Sequence, residues 1–190
     1  MSVLWLPCVI IGTACVLALF VLVRYNALLR SRSRVHEAWS AVDVQLRCRS
    51  SLIANVVEAV RGYAAHERRV FDRIARARTA LQQASRAADA GPANDLITAA
   101  LGRVLAVAEH HPQLRASHSF MSLGNDLHAI EEKLAFARER YNRNVLDYNI
   151  RIETYPEAFF AHAFNFMPDD LFEVADEAHG ELRVSYTPAA

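Results

Sequence analysis

The chain has 190 residues, enough for one domain with its own core and too few for two comfortable ones. Its 21 basic and 21 acidic residues cancel, so no whole-chain field favours nucleic acid or an acidic substrate. Three cysteines, two of them in an apolar start, exclude a disulfide framework and a CxxC pair, and fit a reducing compartment.

The first stretch, MSVLWLPCVIIGTACVLALFVLV, carries no charged side chain until Arg24. A helix needs about 20 apolar residues to cross a hydrocarbon core of about 30 Å. Val3 to Val23 supplies them, with Trp5 and Tyr25 placed as interfacial aromatics. A cleaved signal peptide would carry a basic start and a shorter apolar core, and neither is present. Gly12-Thr13-Ala14-Cys15 resembles a lipoprotein cleavage site, which the missing basic start argues against. Residues 1–23 therefore read as an uncleaved transmembrane anchor contacting lipid. Arg24, Arg30, Arg32 and Arg34 all follow it and none precede it, so the positive-inside rule puts the amino end outside and the remainder in the cytoplasm. These four arginines are candidate lipid-facing residues.

From Val35 the apolar positions step by three and four through Trp39, Val42 and Leu46, one face of an amphipathic helix. Ser50-Ser51 interrupts the stripe, and Leu52, Val56, Val60, Tyr63, Val70, Ile74, Ala77 and Leu81 carry a new one to about Ala88. No Pro or Gly forces a break there, so residues 35–88 are one helix or a hairpin. Asp89 to Asn94, containing Gly91-Pro92, reads as a loop. Asn94 or Asp95 can cap a helix through Leu96, Leu101, Leu105 and Ala108 to His110, which Pro112 ends.

The most regular stripe is the last. Phe120, Leu123, Leu127, Ile130, Leu134, Ala137 and Tyr141, then Val145, Tyr148 and Ile152, predict a helix of about 35 residues with a coiled-coil-like seam, stopped by Pro156. Amphipathic helices with short connections bury their faces best as a bundle, so the fold class is all-α, with residues 24–156 forming the bundle. Residues 157–173, dense in phenylalanine, are expected to cap one end of the bundle. The sharper reading is a docking patch for a partner or a membrane, because exposed aromatics on a monomer are unusual. Residues 174–190 read as a polar tail, with Arg183 to Tyr186 as a short extended piece.

Little chemistry is legible. Of the eight histidines, His110, His111, His118 and His128 lie close in sequence, but none forms HExxH, and His66-Glu67 is followed by Arg68. Asp176-Glu-Ala-His179 is a lone DxxH in the tail, far short of the paired motifs of a bundle di-iron site. No phosphate-binding loop, GxSxG or Cys/His nucleophile pair is visible. Cys48 lies between Arg47 and Arg49, an arrangement that can lower a thiol pKa, although a lone helical cysteine is ordinarily inert. Arg61, Arg68, Arg69, Arg73, Arg76, Arg78 and Arg86 make the second helix basic, either as a solvated face or as a lipid-surface contact.

Several short runs together resemble the LemA family. They include Tyr25-Asn26, Arg34-Val35, Ala38-Trp39-Ser40, Val42 to Leu46 with Arg49, Leu52 to Val57, and Val60 to Ala64 with His66-Glu67. Ala108-Glu109, Pro112 to Leu114, Phe120, Leu123, Arg138, Tyr141-Asn142, Tyr148-Asn149, Pro156 and Phe172-Glu173 continue the series in the family's order. The resemblance implies an antiparallel four-helix bundle with long helices, membrane-anchored with a small amino terminus outside. The family usually carries Pro where this chain has Ala54, which favours a turn at Ser50-Ser51. It brings no established activity, so no catalytic residue, metal or cofactor is carried over.

The expected role is a non-enzymatic, single-pass interaction or scaffold protein at the bacterial cell membrane. Its partners are then membrane or membrane-proximal proteins, with self-association left open. Tyr25, Asn26, Asn142, Asn149, Phe159, Phe160, Phe164, Phe166 and Phe172 are the candidate interaction surface. The alternatives are a metal- or ligand-binding bundle with enzymatic activity, using histidines and acids such as Glu58 or Glu109, and a lipid-surface or membrane-shaping protein.

Overall fold

A computed structural model describes residues 5–62, 68–109, 111–115 and 117–172. Tyr63, His66, Glu67, His110, the side chain of Glu109 and the expected tail at 174–190 lie outside it. Most of the described residues are helical, with no strand among them: α1 (Trp5–Arg61), α2 (Arg68–Gln83), α3 (Ala87–Glu109), α4 (Pro112–Arg115), α5 (His118–Glu153) and α6 (Glu157–Ala163).

α1 is 57 residues long, about 85 Å at 1.5 Å per residue. It runs from the apolar stretch into the core without a break, including through Ser50-Ser51 and Ala54, where a turn was favoured. The reason lies in its seam. Leu28, Ser31, Val35, Ala38, Val42, Leu46, Arg49, Ile53, Val56 and Val60 are all buried at steps of three and four. Arg49 occupies a seam position where an apolar residue was sought, so the hydrophobic stripe looks interrupted while the helix continues. α1 ends at Arg61, and Gly62 follows in a turn.

The turns of α1 from Cys8 to Leu19 contribute nothing to the core. An 18-residue window there has mean hydropathy 2.3 and none of it is buried. Val9, Ile10, Ile11, Val16, Leu17 and Leu19 are 59–68% exposed. Among the described residues, one helix is thus long and apolar enough to cross a membrane.

α5 is 36 residues long and packs along α1, burying Leu127, Leu134, Ala137, Tyr141, Val145, Tyr148 and Ile152. The two run antiparallel: Arg49 meets Glu131, Glu37 meets Arg140, the Arg34 carbonyl accepts from Asn144, and Arg24 meets Glu157 beyond the end of α5. From Arg24 onward α1 has about the same length as α5, so the pair stops where α1 turns apolar. α5 ends where the sequence predicts, just before Pro156.

α2 and α3 pack mainly on each other as a hairpin, which rests on α1. The predicted loop at 89–94 is instead inside α3. Ala87, Ala90, Ala93, Ile97, Leu101, Val104 and Ala108 form its buried stripe, and Pro92 lies on the exposed face. Small side chains carry the packing, which masks the helical period next to a Gly-Pro pair. The break falls earlier, at Ala84 to Arg86, and the amides of Asp89 and Ala90 bond to the Arg86 carbonyl. Asn94 is therefore no cap. Pro112 opens the one-turn α4, where its missing N–H costs nothing.

Candidate functional site

Two constellations stand out, one inside the helix pack and one along α5. The first is a polar layer built on Arg49, which is 3% exposed. Its Nε donates to Glu131 Oε1, its Nη1 to Asn94 Oδ1, and its Nη2 to Thr98 Oγ1 at 2.9 Å. Asn94 is buried too, whereas the Glu131 side chain is 39% exposed. One guanidinium thus ties α1 to both α3 and α5, and its planar fork supplies the donors for all three contacts. Arg138 sits nearby with its guanidinium 4.9 Å from the Phe172 ring centroid. Burial and the neighbouring Arg49 charge push Arg138 below the ordinary arginine value, against the pull of Glu131 and Asp95. A groove of about 740 Å³ opens beside this layer between α3 and α5, with Gly102 and Gly124 in its wall.

The second constellation is a repeated Tyr-Asn pair, two helical turns apart on α5. Asn142 Nδ2 donates to the Phe172 carbonyl at 3.2 Å, and the Phe172 amide donates back to Oδ1 at 2.8 Å. Asn149 does the same to Asp169, at 2.9 and 3.0 Å. Tyr141 Oη donates to the Asp170 carbonyl at 2.8 Å and Tyr148 Oη to that of Met167 at 2.9 Å. These side chains hold residues 167–172 along α5 by their backbone, a strap of six bonds that specifies path and not strap sequence. Burial, with Asp169 and Asp170 adding to it, pushes the Tyr141 hydroxyl up to about 12. Burial also raises Tyr148, against the pull of Arg32. Phe172, 3% exposed, anchors the strap end by packing against Trp39, with centroids 6.3 Å apart. Trp39 in turn meets Tyr141 at 5.5 Å.

The expected interaction surface therefore divides. Asn142, Asn149 and Phe172 are committed internally to the strap, and Phe160, 8% exposed, packs at 6.0 Å on Phe20. They offer no free face, because their polar atoms or rings are already satisfied within the chain. Tyr25 stacks edge-on with Phe164 and Phe166, at 5.0 and 5.9 Å. Phe159 and Phe164 remain exposed, as do Asn26 and the strap's Met167. Arg24 is tied to Glu157 at 2.9 Å and lies over the Phe20 ring, whereas Arg30, Arg32 and Arg34 are exposed on the turns just above it.

The basic α2 stands far from the apolar stretch. Arg78 donates to Ser50 Oγ at 3.2 Å, and Ser50 lies 26 residues past Arg24, about 39 Å along α1. That separation exceeds the screening length of about 8 Å several-fold. Among the described residues no three of His, Cys, Asp and Glu converge as metal ligands. His128 faces Glu132 at 3.6 Å on an exposed turn, and Cys48 is exposed at a shallow groove between α1 and α5.

The family model described as the LemA family matches residues 38–186, which takes in both constellations. The chain belongs to the LemA family. Among characterised relatives, the magnetosome proteins MamQ 1 and MamQ 2 of Paramagnetospirillum magneticum (strain ATCC 700264 / AMB-1) are each 26% identical over 178 residues, covering 80% of this chain and 65% of the relative. Magnetosome protein MamQ of Magnetospirillum gryphiswaldense (strain DSM 6361 / JCM 21280 / NBRC 15271 / MSR-1) is 24% identical over 177 residues with the same coverage. The chain thus spans about two thirds of the length of these relatives. Arg49 and the Tyr-Asn pairs belong to the runs that resemble the family, but their roles as layer and strap clamps are not legible in the sequence. The seven-residue spacing of Tyr141-Asn142 and Tyr148-Asn149 was the available signal, since it places both pairs on one helical face.

Proposed function

We propose that this LemA-family chain is a single-pass membrane protein whose helices serve as a non-enzymatic scaffold for neighbouring membrane proteins. The observation that carries the reading is α1 itself. Its unburied apolar turns continue as one helix into a core seam, so the fold is fixed rigidly to whatever covers the apolar part. Leaving those turns in water would expose a contiguous apolar surface far larger than soluble monomers tolerate. Both polar constellations bind the chain to itself, which suits a rigid scaffold.

The α1–α5 pair and the α2–α3 hairpin, joined through Arg49, complete in this reading the antiparallel four-helix bundle of the family. The arginines at 24, 30, 32 and 34 set the amino end outside and the helices in the cytoplasm. The MamQ relatives are named as magnetosome proteins; the membrane placement of this chain rests on the apolar turns of α1.

Cross-linking of the full chain in native membranes tests the role. A small, reproducible set of membrane-protein neighbours is expected, and the return of no specific neighbour would remove the scaffold reading. A cytoplasm-active reporter fused after residue 190 tests the orientation; it is expected to be active, and an inactive one reverses the topology.

A further inference from the structure

The geometry points to a second membrane contact: α6 and the turn before it form an aromatic foot embedded in the same bilayer interface that α1 leaves. This rests on the membrane-anchor reading of α1 and adds a surface to it. Three observations place the foot at that depth. Phe160 of α6 packs at 6.0 Å on Phe20, which is four residues, about 6 Å, inside Arg24 on the apolar side. Glu157, the one acid of α6, is bound to Arg24 at 2.9 Å, so the helix brings no uncompensated carboxylate to the lipid boundary. α6 packs directly on α1, and Val21, next to Phe20, is partly buried against the core, so this contact lies on the last apolar turns of α1.

The outward face of this foot is apolar and open. Tyr155 is 84% exposed, Phe159 68% and Phe164 47%. Exposed aromatics in a cluster call for a cover. Here the cover is defined by contact: Phe159 meets Phe160 at 5.5 Å and Phe160 meets Phe20 at 6.0 Å, on a stretch of α1 where Leu17, Leu19, Phe20 and Val23 are exposed and Arg24 is paired. A bilayer that surrounds those residues reaches Phe159. Aromatic rings with one polar side suit the headgroup–acyl boundary, where such groups sit about 5–10 Å deep. α5 ends just before Pro156, the chain turns at Thr154 to Pro156 into the foot, and the strap carries it back toward Phe172.

Site-directed spin labelling of the full chain tests this in phosphatidylcholine vesicles. With Cys8, Cys15 and Cys48 replaced by serine, single cysteines at Phe159, Val16 and Val44 are labelled in turn, and helical content is checked by circular dichroism. Phe159 points outward, so its replacement leaves the core intact, and a label at Phe164 gives an independent reading. The expected result is that labels at Phe159 and Val16 collide more with oxygen than with a water-soluble nickel complex. The label at Val44, about 30 Å above Arg24, shows the reverse. A label at Phe159 that behaves like Val44 while Val16 lies in lipid overturns the foot and leaves the anchor standing. A label at Val16 that also meets water overturns the anchor reading, and the foot with it.

Discussion

Removing the half-exposed member of the Arg49–Glu131 pair is predicted to cost more than removing the buried one. Glu131→Ala leaves Arg49, 3% exposed, as a buried cation whose remaining partners are the neutral Asn94 and Thr98. It also removes the carboxylate that offsets the proximity of Arg138. Breaking a buried pair in this way costs about 3–5 kcal/mol. Arg49→Met leaves a different remainder. The Glu131 side chain, 39% exposed, turns to water, Thr98 keeps its bond to the Asn94 carbonyl, and the buried Asn94 oxygen loses its donor. One unsatisfied buried acceptor costs about 1–3 kcal/mol, and the Met stem keeps part of the seam packing. The double variant Arg49→Met/Glu131→Leu is expected to be more stable than Glu131→Ala alone, since neither charge is stranded. Chemical unfolding of the detergent-solubilised full chain, followed by circular dichroism, measures all three. A smaller loss for Glu131→Ala than for Arg49→Met would refute the claim that desolvation of Arg49 dominates this layer.

Other outcomes follow from the strap, its tyrosine and the anchor. Asn149→Ala removes both bonds to Asp169, and hydrogen exchange at the Asp169 amide is expected to rise about tenfold or more, equivalent to at least about 1.4 kcal/mol; unchanged exchange would mean the clamp does not hold the strap. The Tyr141 hydroxyl is raised from 10 to about 12, so its stabilisation is complete below pH 10 and is lost as pH rises through about 12. Tyr141→Phe should flatten the melting temperature against pH across that window relative to the parent chain, and parallel curves would contradict the assignment. Alkaline carbonate washing is expected to leave the full chain in the membrane pellet and to release a chain lacking residues 1–23; release of the full chain would contradict the anchor.

The elements that sequence made legible are those whose period is carried by large apolar side chains. Leu127, Leu134, Tyr141, Tyr148 and Ile152 mark α5 to within a few residues, and Pro156 sets its end. The apolar run to Val23 is legible by length alone. Two features were hidden for the same physical reason, that packing here does not always use hydrophobes of size. Arg49 fills a seam position by pairing with Glu131, so α1 looks broken at Ser50-Ser51. Alanines fill the buried stripe of α3, so Gly91-Pro92 reads as a loop. In the site, the aromatic and asparagine residues were legible as a group, but their division was not. Asn142 and Asn149 need partners 20 to 30 residues away in the strap, and no local spacing reveals a backbone carbonyl.

The unbroken course of α1 from bilayer to core is the central claim, and one distance tests it directly. Spin labels at Leu22 and Glu58, both exposed side chains on α1, are separated by 36 residues of helix. Pulsed electron resonance on the full chain in lipid vesicles should give a single distance near 54 Å. A distance near 30 Å would place a hairpin at Ser50-Ser51 and contradict the account.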